Sequence, residues 1–339
     1  MRAIFLEEPG RLAACELKAA AAPAAGEALV RVHRIGVCGT DIHAFGGRQP
    51  FFTFPRMLGH ELSVEILAVG EGVANLRPGD RCSVEPYLNC GQCIACRRGK
   101  PNCCTSLQVL GVHTDGGMRE EFTVPARKLH SSASLSYDQL ALVEPLGIGC
   151  HAVDRAQLEP GETVLVIGAG PIGLAVVQFA MEAGARVILM DINAARLEFC
   201  RQQLGVPHTV NPLEIASLEA LNAITGGDLP TAVFDATGSP KSMMGAFELA
   251  AHGGRVVFVG LFQGDVTFND PHFHRRELTL LASRNARSTD FTRIIGLIET
   301  GRIDTAPWIT HRAAFDAVIE EFLAWTRPET GVIKAMIEL

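Results

Sequence analysis

Cys90, Cys93 and Cys96 recur at every third position, and Cys104 follows across a gap that holds Gly99 and Pro101. Thiolates are soft, strongly donating ligands, and four of them complete the tetrahedral shell of a closed structural zinc site. A Cys-x-x-Cys turn aims two sulfurs at one point, and the third cysteine extends the clamp. Arg97, Arg98 and Lys100 offset part of the charge that a tetrathiolate carries. Four cysteines within fifteen residues read as a metal site rather than a disulfide cluster. Cys103 breaks the three-residue register, so Cys104 is the expected fourth ligand.

A second donor set is spread over three segments: Cys38-Gly39-Thr40-Asp41-Ile42-His43, Gly59-His60-Glu61 and Val143-Glu144-Pro145. One cysteine, one histidine and one glutamate leave a fourth position open for water or substrate, which is the catalytic form of zinc. Taken singly, a cysteine or histidine of this kind is more often a core residue than a ligand. A third constellation, Gly168-Ala169-Gly170-Pro171-Ile172-Gly173, follows an apolar strand and opens a helix. Gly168 permits the tight turn, Gly170 lets backbone approach a pyrophosphate, and Gly173 allows close packing of helix on strand. The helix N-terminus offers free N–H groups to phosphate. Asp191, eighteen residues beyond Gly173, ends the next strand, where a carboxylate accepts from ribose hydroxyls and repels a 2′-phosphate. Ile192 follows where an NADP enzyme often carries a base, so NAD is the expected cofactor. The bland reading of Asp191 is a cap for the next helix. Arg196, Thr237, Gly238, Val259, Gly260, Leu261 and Asn285 complete the candidate cofactor contacts.

These sites need two kinds of scaffold. Residues 1 to 151 are β-rich, with turns at Gly46-Gly47, Gly70, Gly72 and Arg77-Pro78-Gly79-Asp80, and suggest a partly open barrel carrying the cysteine lobe at about 86–106. From 152 to 284 strands alternate with helices. Thr163–Ile167 precedes helix Pro171–Ala183, Arg186–Met190 precedes helix Ala194–Leu204, and Ala232–Ala236 precedes helix Pro240–Ala251. Glycine stands just past each helix, as a stop should. Such alternation gives an α/β, doubly wound parallel sheet. From 285 to 339, helices Phe291–Glu299 and Ala313–Trp325 and a strand Val332–Ile337 are expected to return to the first domain.

The 339 residues carry a net charge of −7, which argues against nucleic acid and anionic membranes as partners. The N-terminus has too short an apolar run for a signal peptide. Residues 164–181 are uncharged, but four glycine and proline positions split them into strand, turn and helix rather than a membrane span. Ten cysteines, most near metal-type spacing, fit a reducing cytoplasm.

Taken in order, Gly36-Val37-Cys38-Gly39-Thr40-Asp41-Ile42-His43, Gly59-His60-Glu61, the Cys90/Cys93/Cys96/Cys104 lobe, Glu144-Pro145 and the glycine turn resemble the zinc-dependent medium-chain dehydrogenases. Within them the chain is similar to the polyol branch of sorbitol, threonine and sugar-acid dehydrogenases. The stretch Leu110–Gly117 and Ser283-Arg284-Asn285 resemble bacterial sugar-acid and starvation-sensing members. The resemblance covers nearly the whole chain and implies a GroES-like catalytic domain with a zinc lobe, a Rossmann domain, two zinc ions and a homo-oligomer, a tetramer or dimer. It implies that Cys38 and His60 bind the catalytic zinc, with Glu61 and Glu144 competing for the third place. Val64 departs from the family's Gly-His-Glu-x-x-Gly and leaves the local backbone, not the ligands, in question.

The implied reaction takes a hydride from a secondary hydroxyl of a polyol or aldonate to NAD, giving a ketone. Thr40 is the expected proton relay, with His43 or a cofactor ribose hydroxyl as its outlet, against bland readings of a helix cap and a surface or structural histidine. Arg48, Phe51, Phe52, His113, Arg284 and Asn285 are candidates to touch substrate. The alternatives are an amino-alcohol substrate of the threonine type and a non-catalytic NAD-binding sensor.

Overall fold

The computed structural model describes residues 1–49 and 52–339. By internal contacts the chain divides into one unit of Met1–Glu144 with Arg287–Leu339, and a second unit of Pro145–Ala286.

The second unit is built on a six-stranded, all-parallel sheet. In spatial order its strands are His208–Val210, Arg186–Met190, Thr163–Ile167, Ala232–Asp235, Arg255–Phe258 and Thr279–Ala282. Strand order therefore reverses beside Thr163–Ile167, the place where such sheets bind nucleotides. Val164, Leu165 and Val166 are fully buried. Helices cover both faces of a parallel sheet, so its central strands read as unbroken apolar runs. The uncharged run at 164–181 resolves into that strand, a turn and helix Pro171–Glu182. No helix among the described residues is long and apolar enough to cross a membrane.

A helix over Val143–Ala156 was not foreseen. Pro145, Gly147 and Gly149 mask its periodicity, yet Gly149 is there for contact: a Cβ on it would lie 2.5 Å from Ala175 Cβ on the neighbouring helix. The expected helix Pro240–Ala251 is α-helical only over Pro240–Gly245 and tightens to a 3-10 turn at Ala246–Leu249.

The first unit is organised by a seven-stranded sheet running Ile309–Ala314, Lys334–Glu338, Glu27–Val37, Glu61–Val69, Arg81–Val84 and Leu129–Ser131, with Glu121–Pro125 paired to the other part of Glu27–Val37. Ala335 pairs with Val37, which seats Lys334–Glu338 beside the strand that leads into Cys38. The expected helix Ala313–Trp325 is corrected. Ile309–Ala314 is a strand, and the helix begins at Val318. Backbone pairing with Lys334–Glu338 claims Ala313 and Ala314, while Val318, Phe322 and Trp325 keep the helical spacing of buried positions.

Candidate functional site

The four-cysteine lobe is assembled locally. Tyr87–Leu88 pairs with Gln108–Val109 and closes the base of the loop. Cys90, Cys93, Cys96 and Cys104 bring their sulfurs within 4.8 Å of one another, and Cys103 stays outside the set. Cys93 and Cys96, like Cys90 and Cys104, stand 3.5 Å apart, well beyond a disulfide bond. Backbone N–H groups converge on the sulfurs: Cys93 on Cys90 at 3.4 Å, and Cys90 and Ser106 on Cys104 at 3.3 and 3.4 Å. Amide donors from Cys96 and Thr105 draw the Cys93 thiol down to about 5. Amide donors lower the thiols of Cys90 and Cys93, while Cys104 is raised against the donors on it by burial and its neighbouring thiols. Four sulfurs gathered on one point and met by N–H groups fit a tetrathiolate metal.

Cys38 ends the strand Glu27–Val37 and is the N-cap of the short helix Gly39–Phe45. Its N–H donates to Asp41 Oδ2 at 2.9 Å. Capping is thus done by Asp41, and Thr40 lies inside the helix with its hydroxyl not spent on the cap. His60 and Glu61 open the strand Glu61–Val69 alongside. Cys38, His60 and Glu61 present donor atoms within 4.8 Å of one another, and His60 and Glu61 are buried. Asp41 Oδ1 and His60 Nδ1 face each other at 3.7 Å, both buried and without a hydrogen bond. A buried imidazole beside a cysteine sulfur and carboxylates is a place for a cation. Burial disfavours protonation, but Asp41 and Cys38 outweigh it and hold His60 well above its ordinary value. The residues fit a metal with Cys, His and Glu donors.

The two competing glutamates are placed differently. Both oxygens of Glu61 accept from Lys334 Nζ at 2.7 Å. Glu144 lies outside the set of three and accepts from the Tyr87 hydroxyl. Burial pushes Glu144 up to about 7, opposed by the nearby His60. Burial and the Glu144 charge likewise raise Tyr87 well above an ordinary phenol, so it remains a donor. Sequence reading missed both Lys334 and Tyr87. A lysine within the apolar run Val332–Ile337 was a signal; Tyr87 offered none.

At the glycine turn, Gly168 has a φ of 104°, which only glycine adopts freely. A Cβ on Gly173 would fall 1.7 Å from the Gly168 carbonyl oxygen. The required closeness is therefore to the turn itself. A Cβ on Gly170 would meet only Arg196 Nη1, at 3.9 Å, and would project into open space. That open cradle, with Pro171 and Ile172 starting the helix behind it, fits a pyrophosphate. Asp191 accepts from Ala169 N at 2.6 Å and Asn193 N at 2.7 Å. The cap of helix Ala194–Leu204 is Asn193, not Asp191. Ile192 is 64% exposed. The strand ends at Thr237-Gly238 and Val259-Gly260-Leu261 meet backbone to backbone: Val259 and Gly260 both donate to Asp235 O, and a Cβ on Gly260 would lie 2.3 Å from Gly238 N. Asn285 has a left-handed φ of 54° and a buried amide nitrogen without a partner.

Among the substrate candidates, Phe51 lies outside the described residues. Phe52 packs on the core of the first unit, and His113 Nδ1 accepts from Val109 N. Arg48 and Arg284 are exposed.

Two family models match the chain: the alcohol dehydrogenase GroES-like domain over residues 24–134 and the zinc-binding dehydrogenase domain over residues 171–300. The chain is 43% identical to L-galactonate-5-dehydrogenase of Escherichia coli K12, over 88% of each chain. It is 35% identical to 2-dehydro-3-deoxy-L-galactonate 5-dehydrogenase of Pseudoalteromonas atlantica, over 86% of this chain and 85% of the other. The solved structure of the alcohol dehydrogenase RspB from Escherichia coli CFT073, complexed with NADH, is similar at a TM-score of 0.93 and 33% identity, covering 100% of this chain and 99% of that one. The chain belongs to the zinc-dependent medium-chain dehydrogenases, in the branch that holds the polyol and sugar-acid dehydrogenases.

Proposed function

We propose that this protein oxidises a secondary hydroxyl of a polyol or sugar acid with NAD, giving a ketone. The observation that carries the reading is the convergence of Cys38, His60 and Glu61 on one point, a donor set that leaves a metal coordination position for substrate. The sugar-acid relatives support the substrate class, and the NADH complex of RspB supports the cofactor.

Cys38, His60 and Glu61 would hold the catalytic zinc, and Cys90, Cys93, Cys96 and Cys104 the structural one. Bound zinc supplies a Lewis acid for the substrate hydroxyl oxygen. Bound nicotinamide supplies the hydride acceptor. Gly168, Gly170 and the helix start receive the pyrophosphate, and Asp191 orients the adenosine ribose. Thr40 Oγ1 would accept the proton that the substrate hydroxyl releases while handing on its own hydroxyl proton, which His43 or a cofactor ribose hydroxyl would carry to solvent. Partial burial and the Arg48 charge lower His43, which keeps it neutral near pH 7 and able to accept.

Two finer points accompany this reading. Thr279–Ala282 is the edge strand of its sheet, with Leu280 39% exposed, and would pair with the same strand of a second copy in a dimer or tetramer. Ten cysteines, most near metal-type spacing, suit the reducing cytoplasm. The test is a panel of polyols, aldonates and L-threonine, each with NAD at alkaline pH and read as NADH absorbance. Turnover of an aldonate or polyol is expected. Turnover of L-threonine alone would move the substrate to amino alcohols, and no turnover with two zincs bound would remove the reading. Sedimentation measures the assembly.

A further inference from the structure

Besides Asp41, which takes the Cys38 N–H and faces His60, two buried glutamates lie near the Cys38–His60 pair, and each has its own tether. Lys334 Nζ spends its three protons on Glu61 Oε1, Glu61 Oε2 and Val37 O, at 2.7, 2.7 and 3.2 Å. It has none left for Glu144. Glu144, 5% exposed, takes its proton donor from elsewhere, the hydroxyl of Tyr87, itself 3% exposed.

The phenol is fixed from several directions. Its backbone pairs with Val109 at the base of the cysteine lobe. Its ring stands edge-on to Phe291, with centroids 6.4 Å apart and planes at 79°. Two residues earlier, Glu85 is clamped by Lys128, by His130 Nε2 at 3.2 Å and by Ser288 Oγ at 2.6 Å. Ring packing would be the same for phenylalanine, so the hydroxyl has another task. Without it Glu144 becomes a buried acceptor with no donor, and such a group moves to the nearest cation.

We propose that Tyr87 is a positioning residue: its hydroxyl holds Glu144 outside the inner shell, so that Glu61 is the third metal donor and Glu144 faces the ligand in the fourth position. This rests on the metal reading above, and the experiment separates the two. Zinc is first counted per chain in the full protein and in His60→Ala. Two and one are expected, and any other result removes the metal reading itself. Zinc in the catalytic set is then exchanged for cobalt, with zinc kept in the lobe, and visible spectra are recorded for the parent and for Tyr87→Phe. The variant is expected to keep its metal count, to show changed cobalt bands, and to lose kcat by roughly 10- to 100-fold while KM for NAD stays put. Adding Glu144→Gln to Tyr87→Phe is expected to return the bands to the parent pattern. Unchanged bands in Tyr87→Phe overturn the proposal. Where Tyr87→Phe does not fold, Glu144→Gln alone decides: unchanged bands support an outer Glu144, and altered bands overturn it.

Discussion

Lys334 Nζ stands 2.7 Å from each carboxylate oxygen of Glu61, across 273 positions of sequence, and both side chains are 1% exposed. The pair seats a strand of the return segment against the candidate metal shell. Replacing the cation with an apolar side chain of similar length leaves Glu61 without its ammonium partner in the interior. Lys334→Met is therefore expected to lose about 3–5 kcal/mol of stability, measured by urea unfolding with metal loading held constant.

Glu85 gives a pH dependence. Burial alone would raise it, but His130, Lys128 and Ser288 together hold it below its ordinary value of 4.5. A depressed carboxylate stabilises the fold fully above its unfolded value, and that share is lost as pH falls through the folded value. Glu85→Gln is expected to cost about 3–5 kcal/mol at neutral pH, because Lys128 is left buried without its counter-charge. Melting curves of parent and variant should draw together as pH drops below 4.5.

The glycine turn separates folding from binding. Gly173→Ala puts a methyl 1.7 Å from the Gly168 oxygen, so a lowered melting temperature and loss of NAD binding together are expected. Gly170→Ala meets no neighbour closer than 3.9 Å. It should melt like the parent and bind NAD more weakly, read by fluorescence titration.

Asp191→Gly removes the carboxylate expected to accept from the ribose hydroxyls and to repel a 2′-phosphate. The ratio of kcat/KM for NAD over NADP should fall. An unmoved ratio would take Asp191 out of cofactor selection.

Thr40→Val keeps the helix cap, which belongs to Asp41. It is expected to retain zinc and cofactor binding and to lose turnover by roughly 10²–10⁴-fold, read by steady-state kinetics beside zinc analysis.

What the sequence made legible was local. Cys90, Cys93, Cys96 and Cys104 announce themselves by spacing because one short loop brings them together. Gly168 and Gly173 do so because single glycines meet single steric demands. The distant pairings were harder to see. Tyr87 sits in an ordinary strand, and nothing in its neighbours points to Glu144. The end of the strand Ile309–Ala314 was hidden because Ala313 and Ala314 carry no β signal and their partners lie in Lys334–Glu338. Helix Val143–Ala156 was masked by Pro145, Gly147 and Gly149, the last of which is needed for contact with Ala175. In each case a tertiary neighbour overrode local preference.

Separation along the chain also sets an order of assembly. The four sulfurs leave the ribosome almost together and can close on an ion while the rest of the polypeptide is still being made. Glu61 emerges early but must wait 273 positions for the ammonium that balances it. A nascent chain can thus finish its lobe long before the candidate metal site at Cys38, His60 and Glu61 has a full complement of charge. A polypeptide stalled ahead of Lys334 would hold one metal firmly and the other poorly.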